Sequence, residues 1–188
     1  IDGTARKARD NGSYQPSVFL FDYQAAIAGL AIRKRKFATF VECGLGKTLI
    51  LLEFATHCHG ATGRKNVLIA SPLMVVPQTT AEAERFYPGI GIQQVSAANL
   101  QEWLDNGTGI GITNYEAIKA GLTAGRLGAL ILDESSMLKS HYGHFGTRLL
   151  RLGAGLDWKL CLTGTPAPND RIEYANHAVF LGACRTVN

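Results

Sequence analysis

Glu42-Cys43-Gly44-Leu45-Gly46-Lys47-Thr48 is a glycine-bearing loop set between two apolar stretches. Before it, Phe37-Ala38-Thr39-Phe40-Val41 has the aromatic and branched residues of a buried strand. After it, Leu49-Ile50-Leu51-Leu52-Glu53-Phe54-Ala55 is apolar on nearly every face and predicts a helix packed in the interior. A strand, a tight turn and a helix opening on Gly-Lys-Thr make a phosphate-binding loop. Backbone N–H groups of Gly44, Leu45 and Gly46 and the helix N-terminus face the anion, Lys47 reaches the β and γ phosphates, and the Thr48 hydroxyl takes Mg²⁺. The strict pattern asks for glycine five places before Gly46, where Val41 stands. The alternative is a turn whose glycines merely permit positive φ ahead of a helix.

The rest of the chain suits one domain around such a loop. Its 188 residues can bury a sizeable core. With 46% hydrophobic and 18% charged residues the composition is neither disordered nor fibrous. No apolar run approaches the roughly 20 residues that cross a bilayer, and the Arg-, Lys- and Asp-rich N-terminus is no secretory signal, so a cytoplasmic setting without membrane contact is expected. Cysteines 43, 58, 161 and 184 have no Cys-x-x-Cys spacing and read as reduced thiols. His57-Cys58-His59 reads as a polar helix end, because neighbours about 100° apart on a helix cannot all face one ion. A net charge of +4 permits an anionic partner without identifying one. Arg33-Lys34-Arg35-Lys36 closes a helical segment, where it complements the dipole or meets nucleic acid.

In chain order, residues 1–17 form an irregular lead-in and 18–188 the domain. Helical spacing covers Phe21 to about Arg35. Strands are expected at Val67–Ala70, Ile90–Val95, Gly109–Thr113, Ala129–Leu132 and Trp158–Leu162. Helices are expected from Pro77, over Ala97–Leu104, from Tyr115 to about Ala120 capped by Asn114, over Gly146–Leu152, and from the capping-box pair Asp170 and Glu173. Alternating helices and uniformly apolar strands indicate an α/β fold, a mainly parallel sheet covered on both faces. Ligands of such sheets sit beyond the carboxyl ends of the strands. Loop 42–48, Ser71-Pro72, Thr113-Asn114, Asp133-Glu134 and Thr163-Gly164-Thr165 should therefore share one rim.

On that rim, four apolar residues deliver Asp133-Glu134, the expected counterpart of a phosphate loop. Asp133 would hold Mg²⁺ and Glu134 would polarise a water attacking the γ phosphate of ATP; the bland alternative is a solvated turn or helix cap.

Taken in order, Gln24, the loop at 42–48, Ser71-Pro72-Leu73, Thr113-Asn114-Tyr115-Glu116, Asp133-Glu134-Ser135-Ser136 with Leu138-Lys139, and Thr163-Gly164-Thr165-Pro166-Ala167-Pro168-Asn169 resemble the first-lobe motifs of superfamily-two DEAD/DEAH-type helicases. The likeness spans about residues 20–182 and is greatest to Swi/Snf-related DNA translocases, particularly versions associated with phages and bacteria. It implies a three-layer RecA-like lobe that couples ATP hydrolysis to movement on DNA. It also implies that Gln24 recognises adenine, that Ser71, Pro72, Thr113 and Asn114 touch the sugar-phosphate backbone of one strand without reading sequence, and that Thr163, Gly164 and Thr165 link nucleotide state to the track. For Ser71 and Thr113, strand-end capping is the competing reading.

Two departures stand out. Ser135-Ser136 replaces the Ala-His of many relatives, so a serine hydroxyl is expected to substitute for the histidine link to Thr163–Thr165. Gln78 falls where Swi/Snf relatives often carry Trp. The resemblance places ATP between two lobes, the second supplying arginines. A chain of 188 residues opening on Ile1 reads as a fragment with the first lobe only, expected to be nearly inactive by itself. The rival functions are an RNA helicase of the same superfamily and a nucleotide-dependent binding module of clamp or loader type. A P-loop kinase is disfavoured by Gln24 and the Thr163–Asn169 segment.

Overall fold

The computed structural model describes residues 14–63, 65–138, 144–166 and 173–184. Strands β1 (Lys36–Phe40), β2 (Asn66–Ser71), β3 (Gln93–Gln94), β4 (Ile110–Asn114), β5 (Leu127–Asp133) and β6 (Trp158–Thr163) alternate with helices α1 (Asp22–Lys34), α2 (Lys47–Ala61), α3 (Val76–Phe86), α4 (Leu100–Asn106), α5 (His144–Leu152) and α6 (Glu173–Leu181). The strands form one sheet in the order β1-β6-β5-β2-β4-β3, every pair parallel. Strands β2 and β6 are buried along their whole length, which is why their sequences are apolar at successive positions rather than alternate ones.

The two faces of the sheet bury separate cores. Val67 and Ile69 of β2 join Ile32 of α1, Leu51 and Phe54 of α2 and Ala83 of α3 on one face. Leu68 and Ala70 join Leu100 and Leu104 of α4, Leu149 of α5 and Phe180 of α6 on the other. Adjacent strand residues point to opposite faces, so a single apolar run feeds both layers. Among the described residues no helix is long and apolar enough to cross a membrane.

Register brings the functional strand ends into line. Phe40 lies opposite Thr163, Asp133 opposite Leu162, Ala70 opposite Leu132, and Ser71 opposite Asn114. The expected common rim is therefore present.

Several boundaries differ from the sequence reading. Strand β3 is only two residues, and α4 starts at Leu100 because the Asn99 carbonyl side chain accepts from the Ser96 N–H and hydroxyl, holding that stretch as a turn. The helix expected over Tyr115–Ala120 is a single 3₁₀ turn, Tyr115–Ala117. Asn114 caps it as expected, but the buried Tyr115 hydroxyl is tied to the carbonyl of Asp133, which draws the turn into the core. Of the basic run, Arg33 and Lys34 lie in the last turn of α1. Arg35 turns at φ +62° and places its guanidinium 5.0 Å from the centroid of Trp158, and Lys36 opens β1. In the lead-in, Tyr14 donates to Glu53 of α2, so residues 14–17 are fastened to the domain. Residues 1–13, Lys139, Ala167–Asn169 and the Asp170 capping position lie outside the described residues.

Candidate active site

The phosphate loop is shaped by its glycines and by the helix behind it. Gly46 adopts φ +68°, a conformation strained for other residues, and a Cβ there would sit 2.2 Å from Gln24 Nε2, so a side chain would have to displace the tip of that glutamine. Gln24 is 2% exposed. Its side-chain oxygen accepts from the Phe21 N–H at 3.0 Å and its nitrogen donates to the Leu45 carbonyl at 3.4 Å, where the Tyr23 hydroxyl also donates at 3.0 Å. The upstream glutamine is thereby bonded to the loop itself. Val41 needs no positive φ: its N–H donates to the Thr163 carbonyl, prolonging the β1–β6 pairing, and its carbonyl accepts from Lys47 Nζ at 3.0 Å. Lys47 Nζ also lies 3.8 Å from Cys43 Sγ.

The acidic half of the site hangs from β5. Asp133 Oδ2 accepts from Ser71 Oγ at 2.9 Å. Burial pushes its carboxyl above the ordinary aspartate range, and Glu134 adds to that rise, while the Ser71 hydrogen bond and the charge of Lys47 oppose it. Glu134 sits at φ +56°, a left-handed conformation rare outside glycine. That turn carries its carboxylate towards β6, where Oε1 accepts from Thr163 Oγ1 and, at 2.8 Å, from Ser136 Oγ. Thr163 Oγ1 in turn accepts from the Thr165 N–H at 3.0 Å. Gly164 passes so close to the phosphate loop that a Cβ would stand 3.4 Å from Cys43 N and from the Val41 carbonyl oxygen. Ser135 Oγ lies 3.0 Å from His177 Nε2 of α6.

The donor set suits a magnesium nucleotide. Thr48 and Asp133 offer the hard oxygen ligands that Mg²⁺ takes, Lys47 is the adjacent cation, and the first turn of α2 directs N–H groups at the same place. A carboxylate whose burial disfavours its charge gains from a cation beside it.

The structure thus brings Gln24, Gly44, Leu45, Gly46, Lys47, Asp133, Glu134, Thr163, Gly164 and Thr165 into one connected set, with Thr48 in the first turn of the helix behind it. It places two of the expected nucleic-acid contacts elsewhere. Ser71 is 0% exposed and bonded to Asp133, and Thr113 is 2% exposed and donates to the Val95 carbonyl at 2.6 Å. Strand-end capping is the better description of both, since neither hydroxyl faces solvent. Pro72 and Asn114 remain half-buried at the rim, and their exposed neighbours are Leu73, Met74 and Glu116. The expected serine link to Thr163 takes a different route: Glu134 reaches Thr163 itself, with Ser136 bracing it. Sequence reasoning missed Tyr115, whose hydroxyl holds the Asp133 backbone at 2.7 Å; its place directly after Asn114 was the available signal.

Comparison with known proteins agrees with this arrangement. The profile of the SNF2-related domain matches residues 40–183. A curated protein described as a probable global transactivator, from Orgyia pseudotsugata multicapsid polyhedrosis virus, is 31% identical over 140 residues, covering 68% of this chain and 27% of that protein. The Sulfolobus solfataricus SWI2/SNF2 ATPase core, solved in complex with dsDNA, superposes with a TM-score of 0.69 at 17% identity over 90% of this chain and 37% of that one. That likeness establishes the fold, and the chain spans only 27% and 37% of the lengths of these two relatives.

Proposed function

The chain belongs to the SNF2-related domain family, and from that membership we propose that it is the ATP-binding lobe of an ATP-dependent DNA translocase, coupling hydrolysis to movement on DNA. The observation that carries the reading is the Glu134 carboxylate, held between Ser136 and Thr163 beside Asp133 on a rim shared with Lys47. Mg²⁺ held by Thr48 and Asp133 would neutralise charge developing on the β and γ phosphates. Lys47 leaves the Val41 carbonyl for those phosphates. Glu134 orients the attacking water while Thr163 fixes its rotamer, so a movement of the Thr163–Thr165 segment alters the alignment of the water. That is a direct path from track to chemistry. Gln24 meets adenine from its seat against Leu45.

DNA as the track is supported by the solved relative of this fold, described in complex with dsDNA. Contacts from this lobe fall to Pro72, Asn114 and their exposed neighbours, which would grip phosphates without reading bases. A second RecA-like lobe in the parent chain completes the ATP site with arginines. A cytoplasmic setting belongs to the same proposal, in keeping with Cys43 as an exposed free thiol.

The test is Glu134→Gln in protein that carries both lobes. ATP binding should persist and DNA-stimulated turnover should vanish. Unchanged turnover would remove Glu134 from the chemistry. Stimulation by RNA in preference to duplex DNA would transfer the lobe to the RNA helicases, and nucleotide binding without stimulation by either polymer would make it a binding module.

A further inference from the structure

A second cationic site lies on the flank of the lobe, outside the ATP rim. The segment after the 3₁₀ turn and helix α5 enclose a cavity of about 210 Å³ lined by Lys119, Leu122, Thr147, Arg148 and Arg151 among others. Thr147 and Arg151 are one helical turn apart, and Arg148 and Arg151 three residues apart, so all three project from neighbouring positions of one helix surface. Arg148 Nη1 donates to the Ile118 carbonyl at 3.3 Å and its guanidinium lies 6.0 Å from the centroid of Phe145. One donor is thereby spent on orienting the fork, and the others remain for a ligand. Among the described residues no carboxylate lines the cavity and none of the three cations makes an ion pair. Three cations converging without a counter-charge repel one another, an arrangement that an anion relieves.

We propose that this basin binds a phosphate group. Its size admits one tetrahedral oxyanion, and the arginines match phosphate geometry in a way that a point charge does not. Lys119 lies five residues beyond Asn114 in the chain. On the translocase reading, on which this assignment of source rests, the phosphate belongs to a DNA backbone that runs past the rim. The same chemistry would also accept free phosphate.

The experiment compares the chain with Lys119→Gln/Arg151→Gln, a pair chosen because both side chains are exposed, so folding should survive. Lys119→Arg, which leaves both arginines in place, serves as the charge-preserving control. One arm measures binding of a labelled duplex across a salt series; the other titrates inorganic phosphate by calorimetry. A backbone contact predicts weaker binding to duplexes of any sequence and a salt slope smaller by about one, with the control near wild type. A free-anion site predicts loss of phosphate binding with duplex binding unchanged. Sensitivity in either arm supports the site and assigns its source, and indifference in both overturns it. Two-lobed wild-type protein that binds no duplex defeats the translocase reading alone, since the phosphate arm still decides the basin.

Discussion

Thr163, the last residue of β6, donates its hydroxyl to Glu134, the residue that follows β5. The two strands are neighbours in the sheet, and the contact joins the candidate water-activating carboxylate to the segment expected to sense the track. A hydrogen bond to a charged group contributes about 1.5–3 kcal/mol, or roughly 10- to 100-fold in a rate that depends on it. Thr163→Val in two-lobed protein is therefore expected to lower DNA-stimulated kcat by about that factor, with nucleotide affinity little changed and Thr163→Ser close to wild type. Steady-state ATPase kinetics with and without DNA check it; an equal loss in affinity would point to a collapsed loop instead.

The 188 residues by themselves should bind ATP weakly and turn it over barely. Arginine fingers contribute on the order of 10³ to 10⁵ in rate at related sites. Brisk DNA-stimulated hydrolysis by the single lobe would contradict a two-lobed site, and restoration by a separately expressed second lobe would support it.

Gly46→Ala should damage the phosphate loop twice, through a left-handed backbone that costs about 1–2 kcal/mol for an L-residue and through collision with Gln24. Gln24→Ala in the same chain removes the collision and leaves the backbone strain. Thermal melts and fluorescent-nucleotide titrations should place the double variant between Gly46→Ala and wild type in stability, with base recognition still impaired.

Glu53 of α2 is a buried carboxylate that accepts from Tyr14 at 2.8 Å, from Tyr87 at 2.8 Å and from the Ser17 N–H at 3.3 Å. It clamps the lead-in and the end of α3 to the helix that carries Lys47. Glu53→Leu strands these donors and should cost about 2–4 kcal/mol, a fall of roughly 5–15 °C in Tm for a chain of this size. Tyr87→Phe, which removes one donor, should cost less. Differential scanning calorimetry distinguishes them.

Lys159 of β6 is 6% exposed and donates to the Phe180 carbonyl at 2.9 Å. Burial, and then the charge of Lys36, lower its pKa from 10.5 to about 8. The unfolded chain therefore holds this proton more tightly, so the penalty is fully present below about pH 8 and is relieved as pH rises towards 10.5. Denaturation of wild type and Lys159→Met at pH 7 and pH 9.5 should show wild type gaining on the variant at the higher pH. A difference that does not change with pH would show that Lys159 does not titrate in this window.

By itself the sequence determined the parallel sheet, the phosphate loop and the acidic pair. These rest on local signals: uninterrupted apolar runs, glycines ahead of Lys47-Thr48, and carboxylates directly after a buried strand. The late start of α4 and the truncated helix at Tyr115 escaped it because they depend on the Ser96–Asn99 turn and on the bond from Tyr115 to Asp133 rather than on periodicity. Only the tertiary structure decided where the hydroxyls go. Ser71 and Thr113 both lie at the carboxyl ends of their strands, last and last but one, and look equally fit to meet a phosphate, yet register turns one to Asp133 and the other to Val95. The bond between Glu134 and Thr163 likewise joins residues far apart in the chain, through the β5–β6 register and a left-handed turn. Spacing in the chain carries no record of such meetings, because a strand's partner and the direction of each side chain are set by the packing of the whole sheet.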